Sequence, residues 1–183
     1  MVRADRRRRE APRPAAFLDR DGVLIEDVGY PHRVDQISWI DGAIEATRRL
    51  NEANHLAIVV TNQSAVARGI CTEQDVRAMH RHMQQVAERN GAHFDAFYYC
   101  PYHAESVTAR YSHPDHPWRK PNPGMLLAAM ADFAIEREAS FMVGDRPTDV
   151  EAARRAGIVG FLAGRDMPLR SIVEKRLAAT GTD

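Results

Sequence analysis

The stretch Leu56-Ala57-Ile58-Val59-Val60 is apolar at every position, so an extended chain there would present an apolar surface on both faces. A strand lying between two covering layers meets that demand, as parallel strands between helices do. Ala15 to Leu18, Phe94 to Tyr99, Ser140 to Gly144 and Ile158 to Leu162 read as further strands. Helical patterns separate them. Gly42 to Asn54 carries Ala43, Ile44, Ala46, Thr47 and Leu50 on one side. Thr72, followed by Glu73 and Gln74, caps a helix that runs to about Asn90 and stops at Gly91. Pro123-Gly124 opens a helix from Met125 to Phe133, and Pro147 to Ala156 forms another that ends at Gly157. The order βαβαβαβαβ predicts an α/β fold, an open, Rossmann-like, mostly parallel sheet with helices on both faces. No sizeable insertion follows the first or third strand, so no large cap domain is expected.

At 183 residues, with 44% hydrophobic and 27% charged positions, the chain suits one domain with a sizeable core, expected over 14–183. Residues 1–13 contain Arg6-Arg7-Arg8-Arg9 and read as a flexible basic tail; no aromatics interleave the arginines as in a nucleic-acid arm. The formal net charge is +0, with 25 Lys and Arg against 25 Asp and Glu, so nothing global argues for nucleic acid or an anionic membrane as partner. Anion binding must come from local groups. No apolar stretch reaches membrane-span length and nothing resembles a signal h-region, so the expected compartment is the cytoplasm. Cys71 and Cys100 are the only cysteines, too few for a disulfide framework, which agrees with a reducing compartment. A monomer is the simplest expectation.

Three strands run into polar residues for which a core has no use. The first ends in Asp19, with Asp21 two residues on; the second runs into Thr61-Asn62-Gln63-Ser64; the fourth passes through Gly144 into Asp145, with Asp149 one helical turn later. In a parallel sheet these ends share one edge, where working groups gather. Asp19 and Asp21 point the same way in extended chain, and like charges so close raise a pKa or call for a cation. A hard ion such as Mg²⁺, held by carboxylates and substrate phosphate oxygens, resolves the conflict. One carboxylate can then attack phosphorus while its neighbour manages the proton. Thr61 supplies a hydroxyl and Lys120, in Arg119-Lys120-Pro121, a point charge for the phosphoryl oxygens. Each element alone has a blander reading: a D-x-D pair is commonly a solvated turn, and Asp145 with Asp149 an N-cap and a surface charge. Their appearance together, each after an apolar strand, argues for chemistry.

With "FLDRDGVL", "DVGYPH", "TNQSAVARG", "YYCP", "RKPNPGMLL" and "MVGDRPTDVEAA" in hand, the sequence resembles the haloacid dehalogenase superfamily over about Ala15 to Gly164. Within it the sequence is most similar to the heptose 1,7-bisphosphate phosphatases, relatives of the histidinol-phosphate phosphatases. The resemblance implies Asp19 as nucleophile and Asp21 as general acid/base, with Mg²⁺ on Asp19, Asp145 and the main-chain carbonyl of Asp21 and Asp149 just outside. Thr61 and Lys120 would steady the phosphoryl group. Asp27, Gly29, Tyr30, Thr61 to Ser64 (including Asn62 and Gln63), Arg119, Lys120 and Arg146 would line a small phosphorylated sugar, and Arg68 would reach a second phosphate. The implied reaction is hydrolysis of the 7-phosphate of a heptose 1,7-bisphosphate through an aspartyl-phosphate. Histidinol phosphate or another small sugar phosphate is the alternative substrate. A non-catalytic sugar-phosphate-binding protein is the more remote reading, against which Asp19, Asp21 and Lys120 all stand.

Two departures matter. Arg146 stands where lysine is common, trading a point charge for a planar fork. Relatives often hold zinc in the loop before Arg-Lys-Pro through Cys-x-His and Cys-x-Cys, and here three of those four ligands are missing in register. Cys100, His103, His113 and His116 could form a shifted set, but a metal-free loop packed by Tyr102, Tyr111 and Trp118 is the preferred expectation.

Overall fold

A computed structural model of the chain describes residues 11–180. The reading of residues 1–10 as a basic tail lies outside them. Arg13, assigned to that tail, already belongs to the fold: it bridges Ile135, and its amide donates to the Ala134 carbonyl at 3.0 Å.

The sheet has five strands, β1 (Ala15–Leu18), β2 (Leu56–Asn62), β3 (Ala96–Cys100), β4 (Phe141–Gly144) and β5 (Val159–Leu162), in the order β3-β2-β1-β4-β5. All of its pairings are parallel. The helices are α1 (Ala43–Glu52), α2 (Glu73–Arg89), α3 (Gly124–Asp132), α4 (Pro147–Ala156) and α5 (Leu169–Thr180). Strand alternation divides the core in two. Ala16 and Leu18 of β1 face a layer built on Ala46 and Leu50 of α1, Met79 and Met83 of α2, and Ile172 and Val173 of α5. Ala15 and Phe17 face Met125 and Leu126 of α3 and Ala152, Ala153 and Ala156 of α4. All four β1 residues are fully buried, which explains why no polar residue interrupts the strand.

Two expectations shift. The third strand, expected from Phe94, begins at Ala96. Asp95 holds the chain back: its amide donates to the Ala57 carbonyl while its carboxylate accepts from the Ala57 amide, each at 2.8 Å. Phe94 packs beside Trp39 and Phe97 instead of extending the strand. The anticipated order also stops at β5 and misses α5. Leu169, Ile172, Val173 and Leu177 carry its i, i+3, i+4, i+8 pattern and settle against the α1 side of the core.

Thr72 caps α2 as anticipated, its hydroxyl accepting from the Asp75 amide. Strands β1, β2 and β3 are laid down outward in one direction, and β4 then returns to the other side of β1. Such a reversal opens a crevice at the strand carboxyl ends, between β1 and β4. Among the described residues, the five strands and the five α-helices belong to this sheet and its two layers; the short 3-10 turns Val34–Gln36 and Ala109–Tyr111 lie in the connections.

Candidate active site

Asp19 follows β1 directly, and its amide donates to the Val143 carbonyl at 2.9 Å, which fixes it against β4. The next strand end on that side carries Asp145 and then Asp149 in the first turn of α4. Ligand oxygens of Asp19, Asp145 and Asp149 lie within 4.8 Å of one another. Two glycines make this approach possible: a Cβ on Gly22 would stand 2.4 Å from Asp145 Oδ2, and one on Gly144 would stand 2.1 Å from Asp149 Cβ. Gly22 also adopts φ 77°, turning the chain away from the site at little steric cost.

Lys120 enters from the loop ahead of α3 and is almost fully buried. Its Nζ donates to Asp149 Oδ1 at 2.7 Å, to the Val60 carbonyl at 2.9 Å and to Asp19 Oδ1 at 3.0 Å. Three donors thus meet three acceptors. Burial disfavours the ammonium, but Asp19 and Asp149 outweigh it and hold the Lys120 pKa above the ordinary lysine value. Burial pushes the Asp19 carboxyl up to about 6, Lys120 pulling it back and Asp149 and Asp21 adding to the rise. Asp145 is also raised, by burial first and Asp149 second.

Lys120, with the Arg146 guanidinium only at 3.9 Å from Asp145 Oδ2, leaves these three carboxylates short of positive charge. Asp145 Oδ1 is buried without a hydrogen-bond partner. An orphaned carboxylate oxygen, three converging carboxylates and two carboxyl groups with raised pKa fit a small hard divalent cation such as Mg²⁺. Asp149, expected just outside such an ion, stands inside the group. The Asp21 side chain does not belong to it. Arg20 Nε and a terminal nitrogen donate to Asp21 Oδ1 and Oδ2 at 2.8 and 3.0 Å, and Gln63 Nε2 donates to Oδ2 at 2.9 Å.

Gln63 Nε2 also donates to Thr61 Oγ1 at 2.9 Å, so the Thr61 hydroxyl keeps its own hydrogen for an incoming oxygen. Asn62 clamps the Lys120 main chain, accepting from its amide and donating to its carbonyl, both at 3.1 Å. That two-way bond joins β2 to the lysine loop.

These groups line a cavity of about 610 Å³ that also takes in Asp27, Gly29, Tyr30, Ser64, Arg68, Arg119 and Arg146. Arg146 reaches across the mouth to Asp27 at 3.1 Å. Arg68 pairs with exposed Glu105 at 2.8 Å and lies over the Tyr30 ring, while its Nε is buried without a partner. Arg119 donates to the Tyr102 carbonyl; burial and the neighbouring Arg68 and Arg146 cations lower its pKa. One end of the cavity is thus carboxylate-rich around a lysine, and the rest carries three guanidiniums.

His103 lines the same cavity, whereas the sequence suggested it only as a zinc ligand. Cys100, His103, His113 and His116 do not form a converging ligand group among the described residues. Cys100 Sγ and His116 Nδ1 are 4.0 Å apart, the Tyr102 ring stacks on His116 at 3.9 Å between centroids, and His103 Nδ1 accepts from the Glu105 amide. Tyr102 also meets Tyr111 edge-on, and Trp118 meets Tyr98, so the anticipated aromatic packing is present. Sequence reasoning missed Arg20 altogether. It occupies the variable position of D-x-D, and a lone charged residue there carries no pattern by which to recognise it.

A reversed parallel sheet with an acidic cluster, a buried lysine and a strand-end threonine beside a cationic cavity defines a phosphoryl-transfer hydrolase of the haloacid dehalogenase type. A family model described as "HAD-hyrolase-like" matches residues 117–174. The chain is 41% identical over 172 residues to D-glycero-beta-D-manno-heptose-1,7-bisphosphate 7-phosphatase of Rhodopseudomonas palustris, covering 91% of this chain and 94% of that protein. It is 44% identical over 155 residues to D-glycero-D-manno-heptose-1,7-bisphosphate 7-phosphatase of Thermosynechococcus vestitus, covering 82% and 79%. The crystal structure of D,D-heptose 1,7-bisphosphate phosphatase from B. bronchiseptica, complexed with magnesium and phosphate, superposes with a TM-score of 0.78 at 26% identity, covering 91% and 99%. The chain belongs to the heptose-1,7-bisphosphate 7-phosphatase family of haloacid dehalogenase-like hydrolases, and is a phosphoric monoester hydrolase. No helix among the described residues is long and apolar enough to cross a membrane.

Proposed function

We propose that the chain removes the 7-phosphate from a D-glycero-D-manno-heptose 1,7-bisphosphate, leaving the 1-phosphate in place. The observation that carries this reading is the division of the cavity, with carboxylates and Lys120 at one end and Arg68, Arg119 and Arg146 around the rest. A bisphosphate presents one phosphoryl group to react and a second dianion to hold, and guanidiniums suit the second. Histidinol phosphate carries a cationic amine where the bisphosphate carries an anion, and Arg119, whose hydrogen bond goes to the neutral Tyr102 carbonyl, disfavours it more than Arg68 and Arg146, which pair with Glu105 and Asp27.

In this reading an Asp19 carboxylate oxygen attacks phosphorus and the bond from phosphorus to the sugar oxygen breaks. Asp21 gives that oxygen its proton, leaving an aspartyl-phosphate on Asp19. Asp21 then takes a proton from water as the water oxygen attacks the same phosphorus. The bond to Asp19 breaks, inorganic phosphate departs, and the carboxylate is restored. Lys120 and the free Thr61 hydrogen stabilise charge on the phosphoryl oxygens, and the buried setting strengthens both interactions. Asp19 and Asp145, with the Asp21 main-chain carbonyl and with Asp149 in the same group, would hold Mg²⁺, which when bound would neutralise charge on the phosphoryl oxygens and among the carboxylates.

Phosphate release with Mg²⁺ tests the substrate, comparing both heptose bisphosphate anomers, fructose 1,6-bisphosphate and histidinol phosphate. A heptose bisphosphate should show the highest kcat/KM, and a higher value for histidinol phosphate would overturn the assignment. Chelation tests the ion. Dialysis against EDTA should abolish turnover, and Mg²⁺ should restore it. At about 100 times its Kd, Mg²⁺ should also stabilise the fold by about 2.7 kcal/mol. That corresponds to a Tm rise of roughly 5–10 °C. A Tm that ignores Mg²⁺ at pH 7 would contradict the acidic cluster as its site.

A further inference from the structure

Arg20 is among the largest fully buried side chains of the fold, with no exposed surface. A guanidinium stays charged, so burying one is unfavourable unless every donor is well used. Its partners come from two connections, Asp21 and Pro31 from the one after β1 and Gln63 from the one after β2, all of them in or beside the cavity. Its Nε donates to Asp21 Oδ1, and the two hydrogens of one terminal nitrogen are shared among Asp21 Oδ2, Gln63 Oε1 and the Pro31 carbonyl, each at 3.0 Å. Pro31 closes the Asp27–Tyr30 loop, in which Gly29 (φ 75°) and Tyr30 (φ 53°) are consecutive left-handed residues. A non-glycine residue held in that conformation is strained and needs surrounding structure to hold it. Met79 Sδ lies 4.0 Å away on the remaining side, so α2 supplies packing rather than a counter-charge.

We infer that Arg20 is a positioning residue for the reaction. One guanidinium aims the Asp21 carboxylate and seats the Asp27–Pro31 loop, so that loop seating and proton transfer are coupled through a single side chain. Purely structural service would not need its one carboxylate partner and both neutral oxygen acceptors grouped at the cavity, since an apolar residue fills buried space at least as well. This inference rests on Asp21 serving as general acid/base.

The test compares Arg20→Gln and Arg20→Lys on two substrates, heptose bisphosphate and 2,4-dinitrophenyl phosphate. The sugar oxygen is a poor leaving group that needs a proton; dinitrophenolate leaves without one. The quantity read is kcat/KM, which reports the steps up to phosphoryl transfer onto Asp19. Arg20→Gln should lower kcat/KM for the sugar by about 10²-fold or more, within the range of general acid catalysis, and should lower it less than about tenfold for dinitrophenyl phosphate. Arg20→Lys keeps the buried charge but not the fork, so it should fall between, with a raised sugar KM from a loosened loop. If the glutamine variant does not fold, the lysine variant carries the same comparison. Equal losses on both substrates, or no loss on either, would overturn the role. Asp21→Asn serves as the separate check: if it keeps sugar turnover, the acid/base assignment itself is wrong. If it loses turnover while the Arg20 variants do not discriminate, only the Arg20 inference fails.

Discussion

Asp19→Asn should abolish steady-state turnover, lowering kcat by about 10⁴-fold or more, the scale on which loss of a covalent nucleophile is felt. The substitution is isosteric, so substrate should still bind, and the effect should fall on kcat rather than KM. Stability should move the other way. The native environment raises the Asp19 carboxyl from 3.8 to about 6, so the fold disfavours its ionised form. An acid with a raised native pKa subtracts from stability above that value and subtracts nothing below its unfolded pKa. In EDTA, Asp19→Asn should therefore melt no lower than the unmodified protein at pH 7–8, and any advantage should shrink toward pH 4. Turnover within tenfold of the unmodified enzyme would remove Asp19 from the nucleophile role. A melting advantage that grows on acidification would contradict the electrostatic account.

Lys120→Met should fail in both respects at once. Methionine matches the length of the stem, but Asp19 and Asp149 lose the cation that lies 3.0 and 2.7 Å from them. Breaking a buried ion pair by removing one partner is destabilising by about 3–5 kcal/mol, or roughly 10 °C in Tm for a chain of this size. Activity should fall by about 10²–10³-fold, the cost of one lost electrostatic stabiliser of developing charge. Mg²⁺ should recover part of the stability, since it neutralises the same carboxylates, but little of the rate. Circular dichroism melts with and without Mg²⁺, beside kcat/KM, give both readings. A variant that melts within about 1 °C of the unmodified protein would show that Lys120 is not the counter-charge its contacts describe.

Much of the site was legible because it is local in sequence. Asp19, Thr61 and Asp145 each sit at the end of an apolar strand, and a strand end is visible from the pattern alone. Asp149 was visible as a residue but not as a member of the acidic group. Its oxygens join Asp19 and Asp145 only because Gly144 leaves room for α4 to start so close, and a Cβ there would collide with it. The third strand was read two residues early because aromatic content speaks for a strand at Phe94, while Asp95 uses its own side chain to delay pairing. Helix α5 was missed although its apolar spacing is present. Arg20 was invisible for a different reason: its meaning lies in Asp21, Gln63 and the Pro31 carbonyl, and no local rule links these.

The amino-acid sequence alone determined the alternation of strands and helices, the burial of the central strands on both faces and the residue types available for phosphoryl transfer. Those follow from periodicity and side-chain chemistry, which act over a few residues. Tertiary structure decided the strand order β3-β2-β1-β4-β5, and with it the contact between Asp19 and the β4 end. It also decided that Lys120 ends between two carboxylates and that Arg20 turns inward to grip Asp21. Such pairings depend on which elements become neighbours when both apolar layers close, a condition set by the whole chain at once.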